Sequence, residues 1–234
     1  MISKKKKIFI KRIISDIKDI KFDPVEGIHI HYNEEDLSTI RCLIIGPKDT
    51  PYEDGLYYFT LNFPDTYPFT SPSAKFETIN GEIRFNPNLY ESGKVCLSIL
   101  GTWHGPKWSS IQTLKSVLLS IQSLMNENPI NNEPNYEKVK STEDRAIAYN
   151  EYIRYHNYSF ALLEMVKKKS FYPYFTDIVK IHFLENYEKN MKKLEELTKL
   201  DGKIVTTFIW NKKIKIDYTK LIHEYKKVYN SLTM

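Results

Sequence analysis

The chain has 234 residues, 41% hydrophobic and 14% aromatic, enough for one large domain, or one of ordinary size with an elaboration, around a real core. A formal net charge of +5 falls well short of a nucleic-acid protein, and eight dispersed glycines leave no phosphate-cradling loop. No apolar run approaches the roughly 18–20 residues of a membrane span, and two cysteines, Cys42 and Cys96, allow one disulfide at most and no cysteine-rich zinc site, which points to a reducing compartment.

The start, "MISKKKKIFIKRII", is basic then apolar, like a secretion signal. Lys11 and Arg12 break its apolar part and no small-residue cleavage site follows, so it reads as mature structure. Residues 3–20 are predicted helical, with Ile10, Ile13, Ile14 and Ile17 on one face; Asp23-Pro24 ends the segment. "GIHIHY", "TIRCLIIG", "LYYFTLNF" and "SAKFET" read as four strands joined by polar or proline-rich turns, an antiparallel meander. Residues 86–110 are long and irregular, yet too apolar and aromatic for disorder. A helix follows, its stripe being Ile111, Leu114, Val117, Leu118, Ile121, Leu124 and Met125. From about Tyr136 the composition shifts to Lys, Glu and Tyr. Residues 143–168 and 174–199 read as long amphipathic helices, the second burying Leu184, Tyr187, Met191, Leu194 and Leu197. "DGKIVTTFIWNKKIKID" reads as a short hairpin turning near Asn211-Lys212, and "YTKLIHEYKKVYNSL" as a last helix.

This order of elements resembles the ubiquitin-conjugating enzymes. "GPKDTPYEDGLYYFTLNFPDTYPFTSPSAKF" is similar to the family's G-P-x-x-[ST]-P-Y-x-x-G segment and its Y-P-x-x-x-P turn. "NPN" stands where the family carries His-Pro-Asn, and Cys96 in "GKVCLSIL" follows Asn88 by eight positions, as the family pattern requires. The core likeness runs from about residue 3 to 137. "RFNPN", "VCLSILGTWHGPKW" and "SIQSLMNENPINNEP" resemble the Z-type subfamily most, and short tail segments such as "AYNEYIRY" and "DYTKLIHEY" continue the likeness. The resemblance implies an α+β UBC fold: an N-terminal helix, a four-stranded antiparallel meander, an irregular active-site loop and a helix. It implies a catalytic core over residues 1–140 and a helical extension with a short hairpin over 141–234, packed on the core.

The implied activity is transfer of ubiquitin, or a ubiquitin-like modifier, held as a thioester and passed to a lysine or to a ligase. A thiol suits this work, being nucleophilic enough to take an acyl group and a good leaving group toward an amine. Alone, Cys96 reads more readily as a small buried hydrophobe than as a nucleophile; in this motif it reads as the acyl carrier. Asn88 reads as a donor to an oxyanion, as a brace for the neighbouring loop, or as a simple turn residue after Pro87. Asn86 replaces the family's His, which holds backbone, and an Asn can also make two such bonds. In an extended "GKVCLS", Lys94 lies on the same side as Cys96, where its charge would favour the thiolate. Glu133, in "NNEP", stands where the family carries the acid that orients the attacking lysine; the bland alternative is an exposed loop acid. Ser98 occupies a position often acidic in relatives, which bears on discharge to a bare lysine.

Partners follow from surfaces. Lys4, Lys5, Lys6, Lys7, Lys11 and Arg12 make the first helix basic, as the family's helix is where it docks the acidic surface of the activating enzyme; a solvated helix end or a nuclear-import cluster is the other reading. Phe69 matches the family's hydrophobic contact to RING-type ligases. Ser109 and Ser110 stand in a "WSS" loop where relatives carry "WSP", which loosens the analogy for RING- or HECT-type ligases. Trp103 and Trp108 read as packing anchors, and His104 matches no catalytic position. No metal, cofactor, nucleic acid or membrane is expected, with ATP used only by the upstream activating enzyme, and the expected location is cytoplasm, nucleus or both. Two alternatives stand beside the enzyme: a non-catalytic binding or regulatory module of the same fold, and a cysteine protease, for which no histidine has a recognisable context.

Overall fold

Helix α1 spans Lys4–Phe22, and its inward face is Phe9, Ile13, Ile17 and Ile20. That spacing differs from the predicted stripe: Ile14 is 38% exposed, while Phe9 and Ile20 extend the buried row by one turn at each end. A computed structural model of the protein describes residues 4–168 and 172–234, without the side chains of Lys4 and Lys5. The docking role expected of those two lysines therefore lies outside the described residues.

The sheet order is β1-β2-β3-β4, with β1 Ile28–Tyr32, β2 Thr39–Ile45, β3 Leu56–Asn62 and β4 Ser73–Phe76. β1 and β2 pair antiparallel with Ile30 opposite Cys42, and β3 and β4 with Phe59 opposite Phe76. Strand β3 is buried along almost its whole length, as a central strand must be. Tyr57 and Phe85 meet edge to face at 5.5 Å, and Phe59 lies 5.2 Å from Phe76. This aromatic cluster seats Phe85 immediately before the predicted active-site loop.

Helix α2 runs from Leu114 to Leu124, later than its apolar stripe suggests. Thr113 caps it: the Ser116 N–H donates to Thr113 Oγ1 at 3.2 Å and the Thr113 N–H to Ser116 Oγ at 2.8 Å. Ile111 thus falls in the preceding loop and is 84% exposed.

A buried acid ties that loop and α2 to α1. Asp16 accepts from Arg12 Nε at 2.8 Å, from the Leu114 N–H at 3.1 Å and from the Tyr67 hydroxyl. Burial first, and the bond to Asp16 second, push the Tyr67 phenol up. Arg12 also donates to the carbonyl of Ser110 at 2.7 Å and to that of Gln112. Removing Arg12 leaves Asp16 buried with less compensation. Arg12→Ala is expected to cost about 2–3 kcal/mol, the scale of hydrogen bonds to a charged group. A thermal melt of the variant that matched the parent would sink this account.

The chain forms two units: Met1–Ile45 with Tyr57–Met125, and Gly46–Leu56 with Asn126–Met234. In the second unit, Gly46 is a steric necessity, because a Cβ there would lie 1.8 Å from the Tyr52 carbonyl oxygen. The following Glu53 and Asp54 hold helical elements: Lys193 reaches Glu53 at 2.6 Å, Lys189 reaches Asp54 at 2.7 Å, and Asn157 Nδ2 donates to the Glu53 carbonyl at 2.7 Å.

The helix expected over 143–168 changes pitch. It is α3 Asp144–His156, a π-helical stretch Asn157–Glu164, and a last turn, α4 Met165–Lys167. The wider turn begins where Asn157 is drawn inward to the Glu53 carbonyl. The helix expected over 174–199 is two, α5 Thr176–Glu185 and α6 Tyr187–Leu197. Asn186 divides them by turning its side-chain amide onto the His182 carbonyl at 2.9 Å. Of the predicted buried side, Met191 and Leu194 are buried, whereas Leu184, Tyr187 and Leu197 are half-buried. Strands β5 Ile204–Thr206 and β6 Lys213–Lys215 form the hairpin, turning through Trp210 and Asn211 at positive φ. Helix α7, Tyr218–Thr233, starts at Asp217, which accepts the Lys220 N–H at 2.9 Å.

Candidate active site

The loop from Asn86 to Cys96 has more order than its sequence shows. Leu89 pairs with Val95, and the turn between them closes through Tyr90 N–H to the Lys94 carbonyl at 3.0 Å. Gly93 takes φ +88° there, and a Cβ on it would come within 2.8 Å of the Phe76 carbonyl oxygen. Its own carbonyl accepts the Phe76 N–H at 2.8 Å, so the turn is tied to the end of β4. A hairpin this short carries too few residues for alternation to be legible.

Asn86 is fully buried and uses both ends of its amide. Nδ2 donates to the Leu124 carbonyl at 2.7 Å, at the C-terminal end of α2, and Oδ1 accepts the Asn88 N–H at 2.9 Å. Pro87 lies between the two asparagines, and its carbonyl accepts from Arg84 at 2.9 Å. Asn88 then grips the cysteine. Its carbonyl accepts the Cys96 N–H at 2.9 Å, and its Nδ2 donates to the Cys96 carbonyl at 2.7 Å. One N–H of that amide is thereby used, and an amide nitrogen has two. Asn88 Oδ1 is buried without a hydrogen-bond partner among the described residues.

Cys96 is 1% exposed and free, as is the buried Cys42. Lys94 is exposed, with its ammonium 5.6 Å from the centre of the Tyr90 ring, on which the Arg84 guanidinium also rests at 3.9 Å. Ser98 opens a single 3-10 turn, Ser98–Leu100, two residues after the cysteine. The next residues had no assigned role in the sequence, yet they touch this strand. Thr102 Oγ1 accepts the Leu97 N–H at 2.9 Å and donates to the Val95 carbonyl at 2.8 Å. The only hint in the sequence is a threonine after a glycine, which is common in any loop.

The residues expected at a ligase contact, Phe69 and Ser109, also lie in the first unit. Phe69 is 70% exposed. Its neighbour Pro68 accepts the Trp108 indole N–H at 2.7 Å, so Trp108 joins the two loops. Ser109 is exposed, but its backbone is closed through Gln112: its N–H donates to Gln112 Oε1 at 2.8 Å, and the Gln112 N–H returns to its carbonyl at 2.9 Å. With Arg12 on the carbonyls of Ser110 and Gln112, hydrogen bonds restrain the "WSS" segment, which has Ser110 in place of a proline. Trp103 is half-buried, and His104 is exposed beside it.

Asn86, Pro87, Asn88, Lys94, Cys96 and Ser98 are thus brought into one loop system. Glu133 belongs to the second unit, at the end of the 3-10 turn Pro129–Asn132. Its loop is braced by Asn131 Nδ2, which donates to the Glu137 carbonyl at 2.7 Å, and by Asn128 Nδ2, which donates to the Val139 carbonyl at 2.7 Å. Among the described residues no group of three His, Cys, Asp or Glu side chains could hold a metal ion, and no helix is long and apolar enough to cross a membrane.

Comparison with known proteins gives this arrangement a family. A model described as "Ubiquitin-conjugating enzyme" matches residues 12–157. "Ubiquitin-conjugating enzyme E2 Z" of Xenopus tropicalis is 39% identical over 220 residues, 93% of this chain and 70% of that protein. The human protein of the same name is 40% identical over 213 residues, 90% of this chain and 60% of its own length, so this chain spans less than two thirds of it. The solved structure of human ubiquitin-conjugating enzyme E2 G1 aligns with a TM-score of 0.42 at 36% identity, over 48% of this chain and 90% of that one. With the helix, the four-stranded sheet and the cysteine loop in place, the chain belongs to the ubiquitin-conjugating enzyme family, transferases that carry their cargo as a cysteine thioester.

Proposed function

We propose that Cys96 is the thioester carrier and that the chain takes ubiquitin, or a ubiquitin-like modifier, from an activating enzyme and passes it to a lysine or to a ligase. The observation that carries this reading is the grip of Asn88 on both backbone groups of Cys96. The Cys96 N–H is engaged by Asn88 and the Leu97 N–H by Thr102, so the second N–H of the Asn88 amide is the donor left within this cluster for a developing oxyanion. Asn86, Pro87 and Ser98 shape the loop, and Lys94 supplies positive charge beside it.

Lys6, Lys7 and Lys11 form the docking face for the activating enzyme, to which Arg12 contributes through the order of α1 and the loop it braces. Phe69 and Ser109, with the exposed Ile111, form the ligase face for a RING- or HECT-type partner. Residues 1–140 serve as the conjugating core and 141–234 as a C-terminal extension. The reaction needs no cofactor on this chain, since ATP is consumed by the activating enzyme, and it is assigned to the cytoplasm, the nucleus or both.

The test is to incubate the protein with activating enzyme, ATP and ubiquitin, and to run non-reducing gels. A DTT-sensitive adduct supports the reading; no adduct across a panel of activating enzymes and modifiers overturns it. Glu133 has its own outcome. Glu133→Ala is expected to slow discharge to free lysine about 100-fold, the low end of what a positioned acid or base contributes, while charging stays at the parent rate. Unchanged discharge would retire that residue.

A further inference from the structure

We propose that Thr102 is a positioning residue for the nucleophile, the second jaw of a clamp whose first jaw is Asn88. The inference rests on Cys96 being the thioester carrier. Two planar peptide groups flank Cys96, and each is rigid about its C–N bond. In the first, between Val95 and Cys96, the carbonyl accepts from Thr102 Oγ1 at 2.8 Å and the N–H donates to the Asn88 carbonyl at 2.9 Å. In the second, between Cys96 and Leu97, the carbonyl accepts from Asn88 Nδ2 at 2.7 Å and the N–H donates to Thr102 Oγ1 at 2.9 Å. Each plane is therefore held at one end by Asn88 and at the other by Thr102. Rotation of Cys96 about φ or ψ breaks at least one of these bonds. The direction of the Cα–Cβ bond, and with it the sulfur, is set by both jaws together.

The two jaws differ in kind. Asn88 is buried and precedes the cysteine, whereas Thr102 is exposed and follows it. Thr102 is itself fixed, since its N–H donates to the Leu97 carbonyl at 3.1 Å. It opens the "TWHGPK" stretch, whose Gly105 packs back on the start of the 3-10 turn: a Cβ on Gly105 would lie 3.1 Å from Ser98 Cβ. That stretch then leads to Trp108, anchored on Pro68. The loop thus works as a brace fastened next to the nucleophile at one end and to the Pro68 turn at the other. If the Asn88 amide turns toward an oxyanion during transfer, Thr102 still holds one end of each plane, so the sulfur keeps its aim while charge develops.

The test compares Thr102→Val, which keeps the shape and removes the hydroxyl, with Thr102→Ser, which keeps the hydroxyl. The Cys96 thioester is formed, isolated and followed as a single-turnover discharge to free lysine, so that each rate refers to charged molecules alone. Thr102→Val is expected to discharge at least about tenfold more slowly at saturating lysine, with the lysine concentration for half-maximal rate unchanged, as misaim rather than weaker binding requires. Thr102→Ser is expected to stay within about twofold of the parent. Parental discharge by Thr102→Val overturns the proposal, as does a Thr102→Ser variant as slow as Thr102→Val. Loss of charging by Thr102→Val together with a fall in its melting temperature also overturns it, because the residue then serves the fold alone. If the parent itself forms no thioester on Cys96, the reading beneath the proposal fails and both fall.

Discussion

Cys96→Ala is expected to remove the DTT-sensitive ubiquitin adduct altogether, a loss of at least about a thousandfold in charging, as for other enzymes deprived of their nucleophile. Cys96→Ser is expected to leave an adduct that survives DTT and yields to alkali, because an oxygen ester replaces the thioester. The expectation is sharp because the chain has one other cysteine. Cys42 sits on β2 with no exposed surface, and burial pushes its thiol far up, away from the thiolate that would attack. It is a core residue and cannot take over. An adduct of undiminished amount in Cys96→Ala, still sensitive to DTT, would place the carrier elsewhere and undo the assignment. A fully buried Cys42 also means that Cys42→Ala should leave charging intact in the protein that folds.

Asn88→Ala is expected to slow discharge to lysine by about 10²–10³-fold, the cost of losing one oxyanion donor. Charging is expected to fall by less, because the backbone of Cys96 keeps its hold on Thr102 and on the Asn88 carbonyl, which alanine retains at that position. The comparison of the two steps is what decides the role. A brace for the cysteine backbone serves both steps alike, whereas a donor to a developing oxyanion also turns on how charge forms in each. Equal losses in charging and discharge would make Asn88 a brace and nothing more. Asn88→Asp separates the roles further: it keeps the size and an acceptor but removes the donor, and is expected to be as slow in discharge as Asn88→Ala.

The parts of the site that the sequence made legible are those held by neighbours along the chain. Asn86, Asn88 and Cys96 lie within one short loop, so their spacing alone implies that they meet. Pro87 marks a turn by its fixed φ, and Gly93 by its freedom to take a positive φ. The four strands and α2 were legible for a similar reason, since alternation and helical spacing are properties of short windows. Ile111 shows where that reasoning stops. It fits the apolar stripe of α2, but Thr113 and Ser116 cap the helix two residues later and leave it in solvent. Asn186 is similar: a helix-period pattern runs straight through it, and only the turn of its amide onto His182 reveals the break.

By itself, then, the sequence made legible the four strands, α2 and the close spacing of Asn86, Asn88 and Cys96, because each is written in a short window, and its motifs carried the likeness to the family. The tertiary structure decided what Arg12 and Thr102 do. Arg12 reads as one more charge on a basic helix, yet its guanidinium is committed to Asp16 and to carbonyls of a loop 98 and 100 residues away. Thr102 reads as an ordinary loop threonine, yet its hydroxyl holds both peptide groups beside Cys96. A hydrogen bond depends on distance and angle between two groups, and residue type at one position carries neither. Those geometries exist only once the chain has closed, which is why the brace around Cys96 had to be seen in three dimensions.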